Sequence, residues 1–420
     1  MDQGLFATSN FVLNILLARW LTLQEYGAFA LAFALFLLVG NLYQAAFLEP
    51  MLVFGPGKYK DRLQEYLGAL VYGHLAFATL GSLAFLLAGL GLTLWGAREL
   101  AGIISALGLV LPLIFLLWLM RRACYARLEP HLAALGSAWY MAFMLAGAYF
   151  LYRNGWLSGA SALGVMGISS LAVSAWLTVR LGVKLPSLHG GKLIRDSFND
   201  HWRYGRWSLM NQGLNWIPSN AYYLILPIWG GLAAGASFKA LMNLMMPMLQ
   251  GISALSILLL PVLVRARARG RSRFDSQVRL ALIPFVLGPT LCWVMLGLLS
   301  NPLVSLLYGG RYTEHSGLLW LIGFSAVCSA VTLVVGHALR ALERPDQLFQ
   351  AFAASAAAAC ILGIGFVYLW GLPGAATSFL ISQMILTALV LIFYRRSRCL
   401  RESSHFWGAS PEREGVQETT

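Results

Sequence analysis

The sequence predicts an all-α polytopic membrane protein of twelve transmembrane helices, arranged as two six-helix bundles related by a parallel pseudo-two-fold repeat. Three observations predict it. Apolar runs of about 18 residues or more recur along nearly the whole chain, each long enough to cross a bilayer core. The basic residues alternate between the loops in a way that fixes one side. The second half of the sequence repeats the first. Of the 420 residues 59% are hydrophobic and only 11% charged, about half the charged fraction of a soluble protein.

Taken in order, the spans fall near 4–21, 26–54, 66–95, 100–120, 132–152 and 159–182, then 207–229, 233–263, 279–300, 316–338, 348–370 and 373–394. The opening apolar stretch runs straight into further spans and reads as a first span, not a cleaved signal peptide. The loop after span 2 carries Lys58, Lys60 and Arg62, and the loop after span 4 carries Arg121, Arg122 and Arg127. The central segment has Arg180, Lys184, Lys192, Arg195, Arg203 and Arg206. Span 8 is followed by Arg265, Arg267, Arg269, Arg271, Arg273 and Arg279, and span 10 by Arg340 and Arg344. With the arginines of the tail, 25 of the 30 Lys and Arg lie on one side. This bias places both termini in the cytoplasm and supports an even number of spans. It also accounts for the net charge of +13 without nucleic acid as a partner.

Internal similarity appears at an offset of 209 to 216 residues, a search worth making early in any long sequence. DQGLFATSN (2–10) matches NQGLNWIPSN (211–220) with one insertion. EPMLV (49–53) lies over LPVLV (260–264), pairing Pro50 with Pro261, and ARLEP (126–130) lies over ALERP (341–345). NGWLSGA (154–160) lies over WGLPGA (370–375). Six spans per copy make both copies enter from the same side. The expected organisation is an N-terminal bundle over 1–182, a polar cytoplasmic linker loop over 183–204, a C-terminal bundle over 205–395 and a disordered cytoplasmic tail over 396–420. Span 7 has several residues ahead of Asn211 where span 1 has only Met1 ahead of Asp2. The expectation is a native start about ten residues upstream, or a first helix clipped at that end.

No G-x-S-x-G, H-E-x-x-H or Walker loop occurs, so neither enzymatic activity nor ATP hydrolysis is expected. The five cysteines, Cys124, Cys292, Cys328, Cys360 and Cys399, form no C-x-x-C pair and no metal-ligand spacing. They read as packing residues or reduced thiols, and no metal or cofactor is expected.

Several stretches resemble the MOP exporter superfamily and, within it, the polysaccharide and O-antigen flippases. NILLARWLTLQEYGAFALAFALF (14–36) is similar to the family's first hairpin. GASFKALMNLMMPMLQGISALSILLLPVLVRARARGR (235–271) is similar to its eighth span, and LLYGGRYTEHSGLLWLIG (306–323) to the loop before span 10. The resemblance implies a V-shaped transporter of the bacterial inner membrane that carries undecaprenyl-pyrophosphate-linked oligosaccharide outward by alternating access. It further implies a coupling ion, H+ or Na+, and a place beside the polymerase and assembly proteins of a surface polysaccharide. A multidrug or cation antiporter of the same superfamily is the alternative, and a membrane-bound polysaccharide-assembly enzyme a third reading.

Polar groups within spans are costly unless they face a cavity or a partner. Span 7 carries Asn211, Gln212 and Asn215, with Ser208 and Ser219, on one helical face, and span 1 carries Gln3, Asn10 and Asn14 on another. The two helices are equivalent in the repeat, and their amides are expected to meet sugar hydroxyls across a cleft, the plainer reading being interhelical hydrogen bonding. Lys239, the lysine set apart from the basic loops, reads as a substrate contact or as a side chain snorkelling to headgroups. The resemblance implies a basic cavity there, suited to pyrophosphate or acidic sugars. Arg19 reads as a substrate contact, an interface anchor or a partner of Glu25. Asp2, Glu49 and His74 are the ion-coupling candidates. Pro218, Pro227, Pro247, Pro261, Pro284 and Pro289 suggest bending in spans 7 to 9, and AFAASAAAAC (351–360) suggests tight helix packing.

Overall fold

Hydrocarbon offers no partners to backbone N–H and C=O groups, so a chain this apolar satisfies them within helices. The computed structural model describes residues 2–186, 191–256 and 258–400, apart from the side chains of Trp207, Asn211 and 398–400. Most of the predicted tail therefore lies outside the described residues. Helices α1 (Asp2–Trp20), α2 (Leu23–Tyr43), α3 (Glu49–Phe54), α4 (Leu63–Leu94), α5 (Arg98–Ala126), α6 (Pro130–Arg153) and α7 (Gly159–Leu181) build the first half. The second comprises α8 (Lys192–Asn220), α9 (Tyr222–Ser256), α10 (Leu259–Ala268), α11 (Arg271–Leu298), α12 (Ser300–Tyr308), α13 (Leu319–Ala341) and α14 (Pro345–Leu400). No strand occurs among the described residues.

Nine helical stretches among the described residues are long and apolar enough to cross a membrane. Two are far too long for a single crossing of about 30 Å at 1.5 Å per residue: 208–268 with 61 residues and 345–397 with 53. Each turns back at a glycine with non-helical backbone, Gly231 (φ 71°, ψ 172°) and Gly371 (φ 57°, ψ −128°). The arms then pack on each other. Tyr222 and Tyr223 meet Phe238 across the first bend, and Ser355 Oγ donates to the Ser382 carbonyl at 2.9 Å across the second. With α1 counted, the architecture is consistent with twelve crossings. Along α4, Leu80, Leu83, Leu87, Leu90 and Leu94 form an exposed stripe, which water penalises and lipid accepts.

Repeated sequence adopts repeated backbone. Leu128 and Glu343, aligned in ARLEP and ALERP, are the non-glycine residues with positive φ among the described residues, at 63° and 59°. Gly155 and Gly371, also aligned, lie at 70° and 57°. Local chemistry sets the helix ends. Thr22 and Glu25 close a capping box on α2, Ser158 and Ser161 do so on α7, and a left-handed Gly182 ends α7.

The predicted linker loop is in part a helix, because α8 begins at Lys192. Leu193, Ser197, His201 and Gly205, spaced by four, are buried along one face, while Lys192, Arg195, Arg203 and Arg206 are exposed. That amphipathic pattern was hidden in a segment read for its polarity. The buried face seats on the first half. Lys58 Nζ and Tyr59 Oη donate to Asp200 at 2.7 and 2.6 Å, and Tyr66 Oη meets His201 Nε2 at 2.6 Å. Burial pushes the Asp200 carboxyl up, but the hydrogen bonds from Lys58 and Tyr59 outweigh it and hold the group below its ordinary value.

A leucine in the left-handed region pays a steric cost that glycine avoids, so Leu128→Gly raises stability by up to about 1 kcal/mol, net of glycine's chain entropy; thermal unfolding in detergent measures it. A depressed aspartate stabilises above its unfolded pKa of about 3.9 and loses that contribution as pH falls through the folded value. Hydrogen exchange over 192–206 therefore accelerates below about pH 4, and Asp200→Asn abolishes that pH dependence.

Candidate functional site

Between the halves lies a cavity of about 520 Å³, walled by α1, α2, α5 and α9. Gln3, Asn10 and Asn14 come from α1, Phe33 and Phe36 from α2, and Gln44 from the turn that follows α2. Helix α5 supplies Trp118, Arg121 and Arg122, and α9 supplies Lys239, Asn243 and Gln250. The cavity begins beside the exposed Gln3 and Gly4, on the arginine-rich side, and ends near Lys239. Asn14 stands twelve residues beyond Asp2 on α1, about 18 Å along the helix axis.

At the near end Asp2 is saturated. Arg121 donates to its Oδ1 from Nε and Nη2 at 3.1 and 2.7 Å, Ser137 donates to the same oxygen, and Tyr125 donates to Oδ2 at 2.8 Å. The Arg121 guanidinium also lies 4.0 Å from the centre of the Phe6 ring. This cluster binds α1 to α5 and α6. Arg122 beside it lines the cavity, with Asp2 and Glu49 within electrostatic reach.

At the far end Lys239 is 4% exposed. Its Nζ sits 4.4 Å from the centre of the Phe33 ring and 5.4 Å from that of Tyr223. Among the described residues no carboxylate pairs with it. Ring faces attract an ammonium but do not replace a counter-ion. Asn14, level with it, donates its amide N–H to the Asn10 carbonyl at 2.8 Å, and its Oδ1 is buried without a partner among the described residues. Beyond Lys239 the halves are closed. Tyr312 Oη donates to the Ala18 carbonyl at 3.2 Å and Arg311 donates to the Leu21 carbonyl, while within the second half Tyr308 Oη donates to the Ala240 carbonyl at 2.8 Å and holds α12 on α9. A Cβ on Gly27 would come within 1.9 Å of the Leu232 carbonyl oxygen, so α2 and α9 touch there backbone to backbone.

The structure thus brings Asp2, Gln3, Asn10, Asn14 and Lys239 into one cavity, while Arg19, Glu49, His74, Gln212 and Asn215 are not among the residues that line it. Lys239 does not snorkel to an interface. The amides of Gln212 and Asn215 on α8 do not face those of α1, because the opposite wall is α9. Ser208 Oγ and Gln212 Nε2 instead donate to Glu49 at 2.6 and 3.1 Å, and Trp216 Nε1 donates to the Ala34 carbonyl at 3.0 Å. Helix α8 thus holds α2 and α3. Asn215 is exposed away from the cavity, and the Asn211 side chain lies outside the described residues. Arg19 is exposed beyond the cavity's closed end, and Glu25 is engaged by Thr22. His74 is buried in the first half, its Nδ1 3.0 Å from Tyr43 Oη and its ring bonded to the Pro112 backbone. That satisfied histidine sits in an aromatic cluster with Phe47, Phe77 and Phe115.

The reading of basic residues as loop markers missed Arg121 and Arg122. Helix α5 runs on to Ala126, and Trp118, Arg121, Arg122 and Tyr125 recur at three- and four-residue spacing on its inner face. The same spacing links Lys239 to Asn243, Met246 and Gln250 on α9.

Comparisons with known proteins now bear on this geometry. A family model described as polysaccharide biosynthesis protein matches residues 16–317. The chain belongs to that family. No individual curated protein matches the sequence. Among solved structures it resembles an inward-facing multidrug resistance MATE transporter of the MOP superfamily, at 14% identity and TM-score 0.78, over 95% of this chain and 96% of that one. It resembles the lipid II flippase MurJ in an inward-closed conformation at 14% identity and TM-score 0.74, over 94% and 86%. An outward-facing MATE transporter matches at 15% identity and TM-score 0.66, over 96% and 97%. The fold is that of MOP-superfamily transporters, in a multi-pass membrane protein.

Removing one member of a buried ion pair strands the other. Asp2→Asn therefore lowers stability by about 3 kcal/mol, and Asp2→Asn with Arg121→Gln recovers part of the loss. Thermal unfolding of the purified protein measures both.

Proposed function

We propose that this protein is a flippase. It moves an undecaprenyl-pyrophosphate-linked oligosaccharide from the cytoplasmic to the periplasmic leaflet of the bacterial inner membrane, for the assembly of a surface polysaccharide. The observation that carries this reading is the cavity between the halves, closed at one end, with an unpaired ammonium and amides at its floor. A saccharide needs hydrogen-bonding groups such as Asn10, Asn14 and Asn243, and its anionic carrier needs a cation such as Lys239 or Arg122. Membership of a polysaccharide biosynthesis family supports a saccharide cargo, and the likeness to a lipid II flippase supports a lipid-borne one. The arginine-rich side is cytoplasmic on this reading, with both termini there, so the cavity loads from the cytoplasm. A higher similarity to the inward-facing than to the outward-facing transporter supports the same direction.

The bundles 1–182 and 205–395 alternate access, and a coupling ion drives the exchange. Glu49 is the coupling carboxylate we favour, since it joins the halves through Ser208 and Gln212. Asp2 is neutralised by Arg121, which leaves an antiporter of cationic drugs without a free carboxylate among the described residues that line the cavity.

The test is flipping of a lipid-linked oligosaccharide in proteoliposomes. Lys239→Gln lowers the rate by about tenfold or more, the worth of one charge-assisted hydrogen bond, and Lys239→Arg retains most of it. Wild-type flux of the lipid-linked substrate through Lys239→Gln at equal reconstitution would contradict the proposal.

A further inference from the structure

Proline at position 50 leaves a mark on the helix before it. In a regular α-helix the N–H of residue 50 would bond the carbonyl of residue 46, and proline has no N–H to give. The chain between α2 and α3 is correspondingly irregular: Gln44–Leu48 form a π-helical turn, in which the Glu49 N–H reaches the Gln44 carbonyl. Such turns are rare and cluster at functional sites. The Ala46 carbonyl receives a hydrogen bond from another helix, because His201 Nδ1 lies 2.9 Å from it.

We infer that His201 is a positioning residue for the cavity: by donating to the carbonyl that Pro50 cannot serve, it fixes the π-helical turn that aims Gln44 into the cavity. The chemistry assigns the ring. A carbonyl only accepts, so Nδ1 carries the proton, and Nε2 of the neutral ring accepts from Tyr66 Oη at 2.6 Å. Both nitrogens are used, and the side chain is buried. The helix that carries His201 is itself pinned. Asp200 holds Lys58 and Tyr59, and Gly205 lies so close that an added Cβ would stand 3.0 Å from the Ala45 carbonyl oxygen.

The turn has two outputs. Gln44 at its start and Leu48 at its end line the cavity. Glu49, the next residue, reaches Ser208 and Gln212 farther along α8. His201 itself is not part of the cavity wall, so it acts through the backbone of α2. The role of this contact in transport rests on the proposed function, but the placement of Gln44 does not.

The experiment introduces Gln44→Cys into a protein whose Cys292, Cys360 and Cys399 are changed to serine, and follows labelling by a water-soluble maleimide. His201→Asn keeps a donor where Nδ1 stands, and His201→Gln keeps an acceptor toward Tyr66 but loses the donor to Ala46. The expected result is labelling slowed several-fold by His201→Ala and His201→Gln and unchanged by His201→Asn. In a Pro50→Ala background the N–H returns to Ala46, and His201→Ala has no further effect. Equal labelling in all His201 variants, or a loss with His201→Asn as large as with His201→Ala, overturns the inference. An additive effect of His201→Ala in the Pro50→Ala background overturns it as well. Flipping assays on the same variants separate the two ideas. Labelling that follows the pattern while flux stays constant keeps the positioning role and rejects the cavity as the transport path.

Discussion

Backbone hydrogen bonding in a medium without water governs this molecule. Within the bilayer each unserved carbonyl must find a donor in the protein itself. Most of the chain meets the requirement by staying helical, and the exceptions locate the working parts. The bends at Gly231 and Gly371 reverse the chain in single residues. Pro50 frees a carbonyl, and a histidine from the helical part of the central linker answers it. The closed end of the cavity is likewise held by tyrosine and arginine side chains donating to backbone oxygens.

Charge follows the same logic with a different outcome at each end of the cavity. Asp2 and Arg121 neutralise each other with hydrogen bonds on both carboxylate oxygens, the arrangement a buried ion pair needs to hold its cost down. Lys239 has ring faces against it and, among the described residues, no carboxylate partner. An ammonium left in that condition is poorly solvated and favours an incoming anion, whereas a completed pair at the same depth would not. The two ends therefore differ in kind: one is a structural staple, the other an unfinished contact.

The sequence made the architecture legible because it depends on long-range averages: hydropathy over a span, arginine bias over loops, similarity between halves. Single residues were harder. Lys239, Asn10 and Asn14 stood out as polar groups in apolar runs, and they share the cavity. Arg121 and Arg122 did not stand out, since a basic pair at the end of a span looks like any loop marker until the helix is known to continue past it. The amides of α8 have helical spacing suited to a cleft, but periodicity identifies a face without naming what it meets, and Glu49 met it first. His201 lay in a segment whose polarity masked a four-residue rhythm. Its role depends on a carbonyl freed 155 positions earlier in the chain, a pairing no local pattern contains.

The lock beyond Lys239 has an evolutionary corollary. Its acceptors at Ala18 and Leu21 are main-chain oxygens, present whatever amino acid stands there. The donors Arg311 and Tyr312 are thus constrained, while the partners they grip are free to drift as long as the helix keeps its path. A lineage adapting to new cargo can rewrite the facing helix around its central lumen without having to reinvent the closure.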